Sequence, residues 1–143
     1  EERYKPKFRL PVTTGWNEID TITSGGLGRN ELGVVIAPTG AGKSMALVHL
    51  GSQAIKEGKT VVHYTLELQD TVVACRYDSC ITNVPLSDLN SFKEQVYDEI
   101  SQLNGSLIIK EYPTKSASTQ TPRTQRASPA HIKSSRQPTQ TPI

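Results

Sequence analysis

The residues best suited to chemistry in this chain are a lysine and a serine set behind two alternate glycines, in Ala37-Pro38-Thr39-Gly40-Ala41-Gly42-Lys43-Ser44. A loop that wraps an anion must keep side chains out of its way. Gly40 and Gly42 do this, leaving backbone N–H groups free to point at the β- and γ-phosphates of a nucleotide. Lys43 adds a positive charge and Ser44 an oxygen for Mg²⁺. The pattern is Gly-x-x-x-x-Gly-Lys-Ser/Thr with Ala37 at its first position. An ordinary glycine turn is the competing reading, and the flanking sequence decides between them. Leu32, Val34, Val35 and Ile36 form an apolar run of the kind expected for a strand buried on both faces, and a helical period begins at Met45. Strand, phosphate loop and helix is the context the motif requires. The expected nucleotide-contacting residues are Pro38, Thr39, Gly40, Ala41, Gly42, Lys43, Ser44 and Met45, with ATP and Mg²⁺ as ligands.

A second candidate stands after the next strand. Residues 59–66 are rich in β-branched types and follow Gly58, a suitable left-handed stop for the helix. Glu67 comes directly afterwards. In parallel α/β sheets the carboxyl ends of the strands face the ligand crevice, so a carboxylate there can orient or deprotonate the water that attacks a γ-phosphate. A solvated loop glutamate is the plainer reading of the same residue.

Length, charge and cysteines narrow the class. One domain is the prior for 143 residues. No apolar run approaches a membrane span and no signal peptide opens the sequence, so no membrane role and a cytoplasmic location are expected. Cys75 and Cys80 read as buried thiols, because they do not share a helix face and no Cys/His cluster accompanies them. The net charge of +2 is unevenly placed. Residues 1–111 hold all fourteen acids and eleven of the sixteen Lys and Arg, whereas residues 112–143 carry five basic residues and no acid. The first 111 residues therefore show no basic nucleic-acid footprint.

Read in order, residues 1–12 form a basic, proline-containing arm or linker, or a frayed terminus. Residues 13–118 form the partial nucleotide-binding domain. Within it, Thr13 and Thr14 offer a cap to a short helix whose Trp16, Ile19 and Ile22 share a face. A helix is expected over 69–82, stopped by Asn83-Val84-Pro85. Ser91 and Glu94 make a capping-box pattern for another, and residues 106–111 are a further strand. Residues 119–143 repeat Thr-Gln-Thr-Pro and contain almost no large apolar residue, a composition expected to stay disordered.

Several of these residues together resemble the motor domain of DnaB-like replicative DNA helicases of phage and bacteria: Thr14-Gly15-Trp16, Ile19-Asp20, Gly25-Gly26-Leu27, the Ala-initiated phosphate loop and Leu66-Glu67-Leu68. The resemblance implies a RecA-like P-loop NTPase fold, α/β with a parallel sheet flanked by helices, and here incomplete. It implies a ring of usually six identical subunits that hydrolyses ATP while moving along single-stranded DNA. Lys43 and Ser44 match that family's phosphate-loop lysine and Mg²⁺-binding hydroxyl, Glu67 its catalytic glutamate, and Arg76 an arginine common in the following helix. A surface ion pair is the alternative for Arg76. RecA- and KaiC-type ATPases share the order of motifs. A binding module without chemistry and a small phosphoryl transferase complete the alternatives. The family's Mg²⁺-holding aspartate and arginine finger are not found in this sequence. Residues 107–111 imitate the aspartate strand, yet Lys110 interrupts them and the family places an earlier strand there. The expectation is a truncated motor with a disordered or out-of-frame tail and weak or absent hydrolysis.

Overall fold

The computed structural model describes residues 9–112 and the backbone of 123–127. In chain order its elements are α1 (Asn17–Ile22), α2 (Lys43–Lys56), β1 (Thr60–Thr65), α3 (Asp70–Thr82), α4 (Lys93–Ser101), β2 (Ser106–Glu111) and β3 (Arg123–Ala127).

Helix α2 grows straight out of the phosphate loop. Val48, Ser52 and Ile55 lie three and four residues apart, on one face of a 3.6-residue helix, and all are buried. Ser52, the polar member, donates its hydroxyl to the Val48 carbonyl at 2.8 Å, so burial leaves no orphan donor. The helix stops as the sequence predicts. Gly58 takes φ +78° and its N–H reaches the Ile55 carbonyl at 2.9 Å. Asn83, at φ 58°, ends α3 in the same left-handed way.

The alternating residues of 106–111 also form the predicted strand. β2 pairs in parallel with β1, from Thr60 opposite Ser106 to Thr65 opposite Glu111, and β3 pairs antiparallel with the other side of β2. Alternation sorts the sheet into two faces. Val61, His63, Leu107 and Ile109 face α2 and α3, where Val48, Ile55, Val73 and Tyr77 complete the core. Val62, Tyr64, Ile108 and Lys110 occupy the opposite face. The result is a small α/β arrangement with a two-stranded parallel core and helices packed on it.

Residues 32–36 depart from expectation. They form no strand among the described residues, and Leu32, Val34 and Ile36 are 87%, 70% and 89% exposed. A strand buried on both faces needs neighbours on both edges and a layer on each side. The described sheet runs β1-β2-β3 and offers this run none of them. Three local readings also change. Ile19 and Ile22 of α1 are exposed, so their shared stripe buries nothing. The Ser91–Glu94 capping box does not form, since α4 begins one residue later with Phe92 at its cap and no side-chain cap bond. Cys75 is exposed and Cys80 half-buried, both as free thiols. The expectation of disorder over 119–143 falls mostly outside the described residues, and its described portion is the backbone of β3.

Candidate functional site

Gly40 and Gly42 adopt φ +80° and +91°, the left-handed region that favours glycine, and a methyl group built on either would meet no atom within 4 Å. The loop thus needs glycine for its path, and the space beside it is open. Ala41 N–H closes a tight turn on the Pro38 carbonyl at 3.2 Å, with Thr39 exposed at its tip. The first intrahelical bond of α2 runs from Ala46 N–H to the Gly42 carbonyl at 2.9 Å. The N–H groups of Lys43, Ser44 and Met45 precede it, at the positive end of the helix dipole, where an anion is favoured. Lys43 Nζ donates to the carbonyls of Ala37 at 2.9 Å and Pro38 at 2.8 Å. An ammonium has three donors, so one remains for a ligand oxygen. The Ser44 hydroxyl makes no hydrogen bond with the described residues and is free to act as an oxygen ligand.

Glu67 lies just beyond the carboxyl end of β1, in a bend fixed by Thr65. The Thr65 hydroxyl accepts from Leu68 N–H at 3.1 Å and donates to the Leu68 carbonyl at 2.9 Å, and Glu67 is left exposed between them. No hydrogen bond or ion pair joins Glu67 to Lys43 or Ser44. Arg76, half-buried in α3, forms no ion pair among the described residues, so the surface-pair reading of it is not realised.

Over 126 residues the chain is 32% identical to a DnaB-like replicative helicase of Enterobacteria phage T4, a match covering 82% of this chain and 25% of that protein. Over 101 residues it is 29% identical to the DNA repair protein RadA of Campylobacter jejuni, covering 68% of this chain and 22% of that one. Both relatives are RecA-like ATPases. The chain fits part of a DnaB-like motor domain. It spans about a quarter of the length of the curated relatives it matches. No protein-family model matches it.

What holds residues 13–20 in place has no signal in the sequence. Thr13 and Thr14 do not cap α1. Their hydroxyls, with the Thr14 N–H at 2.9 Å, converge instead on the Asp20 carboxylate. Those bonds, the Thr13 hydroxyl first, hold Asp20 below the usual carboxylate range. The loop so formed lies along α2. Trp16 stacks on His49 with ring centroids 4.4 Å apart, a methyl on Gly15 would strike His49 and Gln53, and Thr13 N–H reaches Glu57 at 3.2 Å. His49, Gln53 and Glu57, four residues apart, form one stripe of that helix. Their spacing is visible in the sequence, but their partner is not.

In the sequence Glu111 imitates a metal-holding strand end. Its carboxylate accepts Asp70 N–H at 3.1 Å at the start of α3, while Tyr112 N–H bonds the Thr65 carbonyl at 2.9 Å. It is committed to a helix N-terminus. A cavity of about 360 Å³ lies apart from the predicted residues, lined by Leu47 and Gly51 of α2, residues 61–64 of β1, and Tyr77. His63 Nδ1 and Tyr77 Oη stand 3.0 Å apart in its wall. Burial lowers the pKa of His63 and raises that of Tyr77, so both are neutral near pH 7. Among the described residues no group of three or more His, Cys, Asp or Glu could hold a metal ion, and no helix is long and apolar enough to cross a membrane.

Proposed function

We propose that this chain binds Mg·ATP through residues 38–45 and is the nucleotide-binding part of a ring-forming, DnaB-type helicase motor, a hexamer that couples hydrolysis to movement along single-stranded DNA. The observation that supports this most directly is the open, left-handed Gly40–Gly42 turn running into the unpaired N–H groups of α2, with Lys43 across it. The similarity to the T4 helicase supplies the assignment of family and motion. Bound ATP provides the phosphoanhydride bond that is broken. The loop's N–H groups and the third Lys43 donor hold its phosphate oxygens. Ser44 provides a hard oxygen of the kind Mg²⁺ takes, which suits an ion that arrives already carried by the phosphates. Glu67 orients and accepts a proton from the attacking water.

The test is a pair of substitutions. Lys43→Ala should weaken ATP binding about tenfold or more, since it removes the loop's cation. An unchanged affinity would sink the assignment of the loop. Any phosphate release by the parent should vanish in Glu67→Gln. A second reading draws on the similarity to the DNA repair protein RadA: this chain would be part of a RecA- or KaiC-type ATPase whose hydrolysis is not coupled to strand separation. A helicase assay on forked duplex with the full-length protein separates the two. A third outcome, binding without turnover, fits a motor whose arginine finger, a group worth about 10³ to 10⁵ in rate, has to come from an adjacent subunit.

A further inference from the structure

Arg9, in the arm ahead of the domain, uses all five of its guanidinium donors. Nε and Nη2 grip the two carboxylate oxygens of Glu31 at 2.9 and 2.7 Å. Nη1 donates to the carbonyls of Thr23 and Ser24 at 2.5 and 2.8 Å, and Nη2 also to that of Gly26 at 2.7 Å. Glu31 in turn accepts Gly28 N–H at 2.8 Å. Beside this clasp, Val12 and Leu27 exchange both backbone bonds, at 2.8 and 2.9 Å. The approach is so close that a methyl on Gly26, whose φ is +111°, would sit 2.0 Å from the Val12 carbonyl oxygen. Five donors in a rigid fork suit this task in a way an ammonium does not.

The clasp stands at a particular point. Residues 32–36, which run from it to the phosphate loop, make no backbone–backbone hydrogen bond among the described residues. Glu31 is therefore the last fixed point before the loop, and the Ala37 carbonyl held by Lys43 is the next. The residues that follow the arm are fastened on the loop's far side, where Thr13, Gly15 and Trp16 pack on Glu57 at the end of α2 and on Gln53 and His49 within it. Residues 9–16 thus tie the segment that enters the loop to the helix that leaves it.

We infer that Arg9 is a positioning residue for the nucleotide loop: its clasp on Glu31 and the 23–26 turn sets where the free run begins, and so how the loop meets α2. This rests on the reading that the loop binds nucleotide. Because coupling between two sites is reciprocal, bound nucleotide must also tighten the clasp.

Two measurements on the whole chain test this. Mg·ATP titrations should show Arg9→Ala and Glu31→Gln each weaker than the parent by about fivefold or more, with the double variant no weaker than either alone. Arg9→Lys should not restore affinity, because one ammonium cannot span a carboxylate and three carbonyls. Amide exchange over residues 23–31 should slow on addition of ATP in the parent and not in Arg9→Ala, a response that a merely structural arm would not give. If Arg9→Ala fails to fold, Glu31→Gln, which keeps its shape, carries both readouts. Equal affinity in a variant whose 23–31 amides exchange faster than the parent's overturns the role of Arg9 and leaves the nucleotide site standing. A parent that binds no Mg·ATP overturns the nucleotide reading, and this inference with it.

Discussion

At the scale of single residues, two carboxyl groups respond to their surroundings in opposite senses. The Arg9 guanidinium, with Gly28 N–H beside it, lowers the Glu31 pKa to about 2, so the clasp contributes stability above the unfolded value and loses it as pH falls towards 2. Asp78 on α3 shows the reverse. Its carboxyl has no hydrogen-bond or ion-pair partner among the described residues, and burial pushes its pKa from 3.8 up to about 6. The folded state therefore holds the Asp78 proton more tightly than the unfolded chain does. That contribution is fully present below pH 3.8 and is lost as pH rises through about 6. Asp78→Asn carries no charge to desolvate and has nearly the same shape. It should raise the melting temperature at pH 7 by about 2 to 5 °C and by little at pH 4. Thermal melts of both proteins across this range check it, and a rise of equal size at every pH would exclude titration of Asp78 as the cause.

At the scale of elements, what could be read in the sequence was whatever local periodicity and stop residues determine. The helix after the phosphate loop, its glycine stop, the following strand and the strand at 106–111 all formed where spacing and β-branched content placed them. Features that depend on a distant partner were not legible. Thr13 and Thr14, expected as the cap of α1, gather on the Asp20 carboxylate inside that helix instead, and the Arg9–Glu31 clasp joins residues 22 apart with no pattern to announce it. Gly51 is another case. A glycine inside a helix normally costs about 1 kcal/mol relative to alanine, so α2 seen alone predicts that Gly51→Ala stabilises. In the structure an added methyl would lie 2.1 Å from the Tyr77 hydroxyl, on a ring only 1% exposed that also meets His63. Overpacking of this kind costs about 1 to 3 kcal/mol and outweighs the propensity gain. Gly51→Ala should therefore lower stability by about 1 kcal/mol in urea unfolding, and a gain would show that α2 and α3 move apart at little cost.

At the scale of the whole molecule, the apolar residues exceed what the described elements can cover. β1 ends the strand order, so one of its edges carries unpaired backbone groups among the described residues. Val62 and Tyr64 are exposed on the sheet face away from the helices, and the run 32–36 presents Leu32, Val34 and Ile36 to solvent. Sequence periodicity identified that run as strand-forming and apolar, but which strands flank it is a long-range property that no local pattern carries. An unpaired edge beside exposed apolar side chains is a template for association, because another extended segment satisfies the ladder and removes apolar surface from water at once. The 15.7 kDa chain should therefore show a mass above the monomer in light scattering, rising with concentration. Leu32→Lys with Val34→Lys should shift it towards the monomer, since charges in an exposed extended run oppose its pairing with another copy while leaving the phosphate loop and its Lys43 untouched. Nucleotide affinity measured on the same samples tells disaggregation apart from unfolding. A monodisperse parent of monomer mass at every concentration would mean that residues 32–36 and the β1 edge find cover within a single copy of the chain.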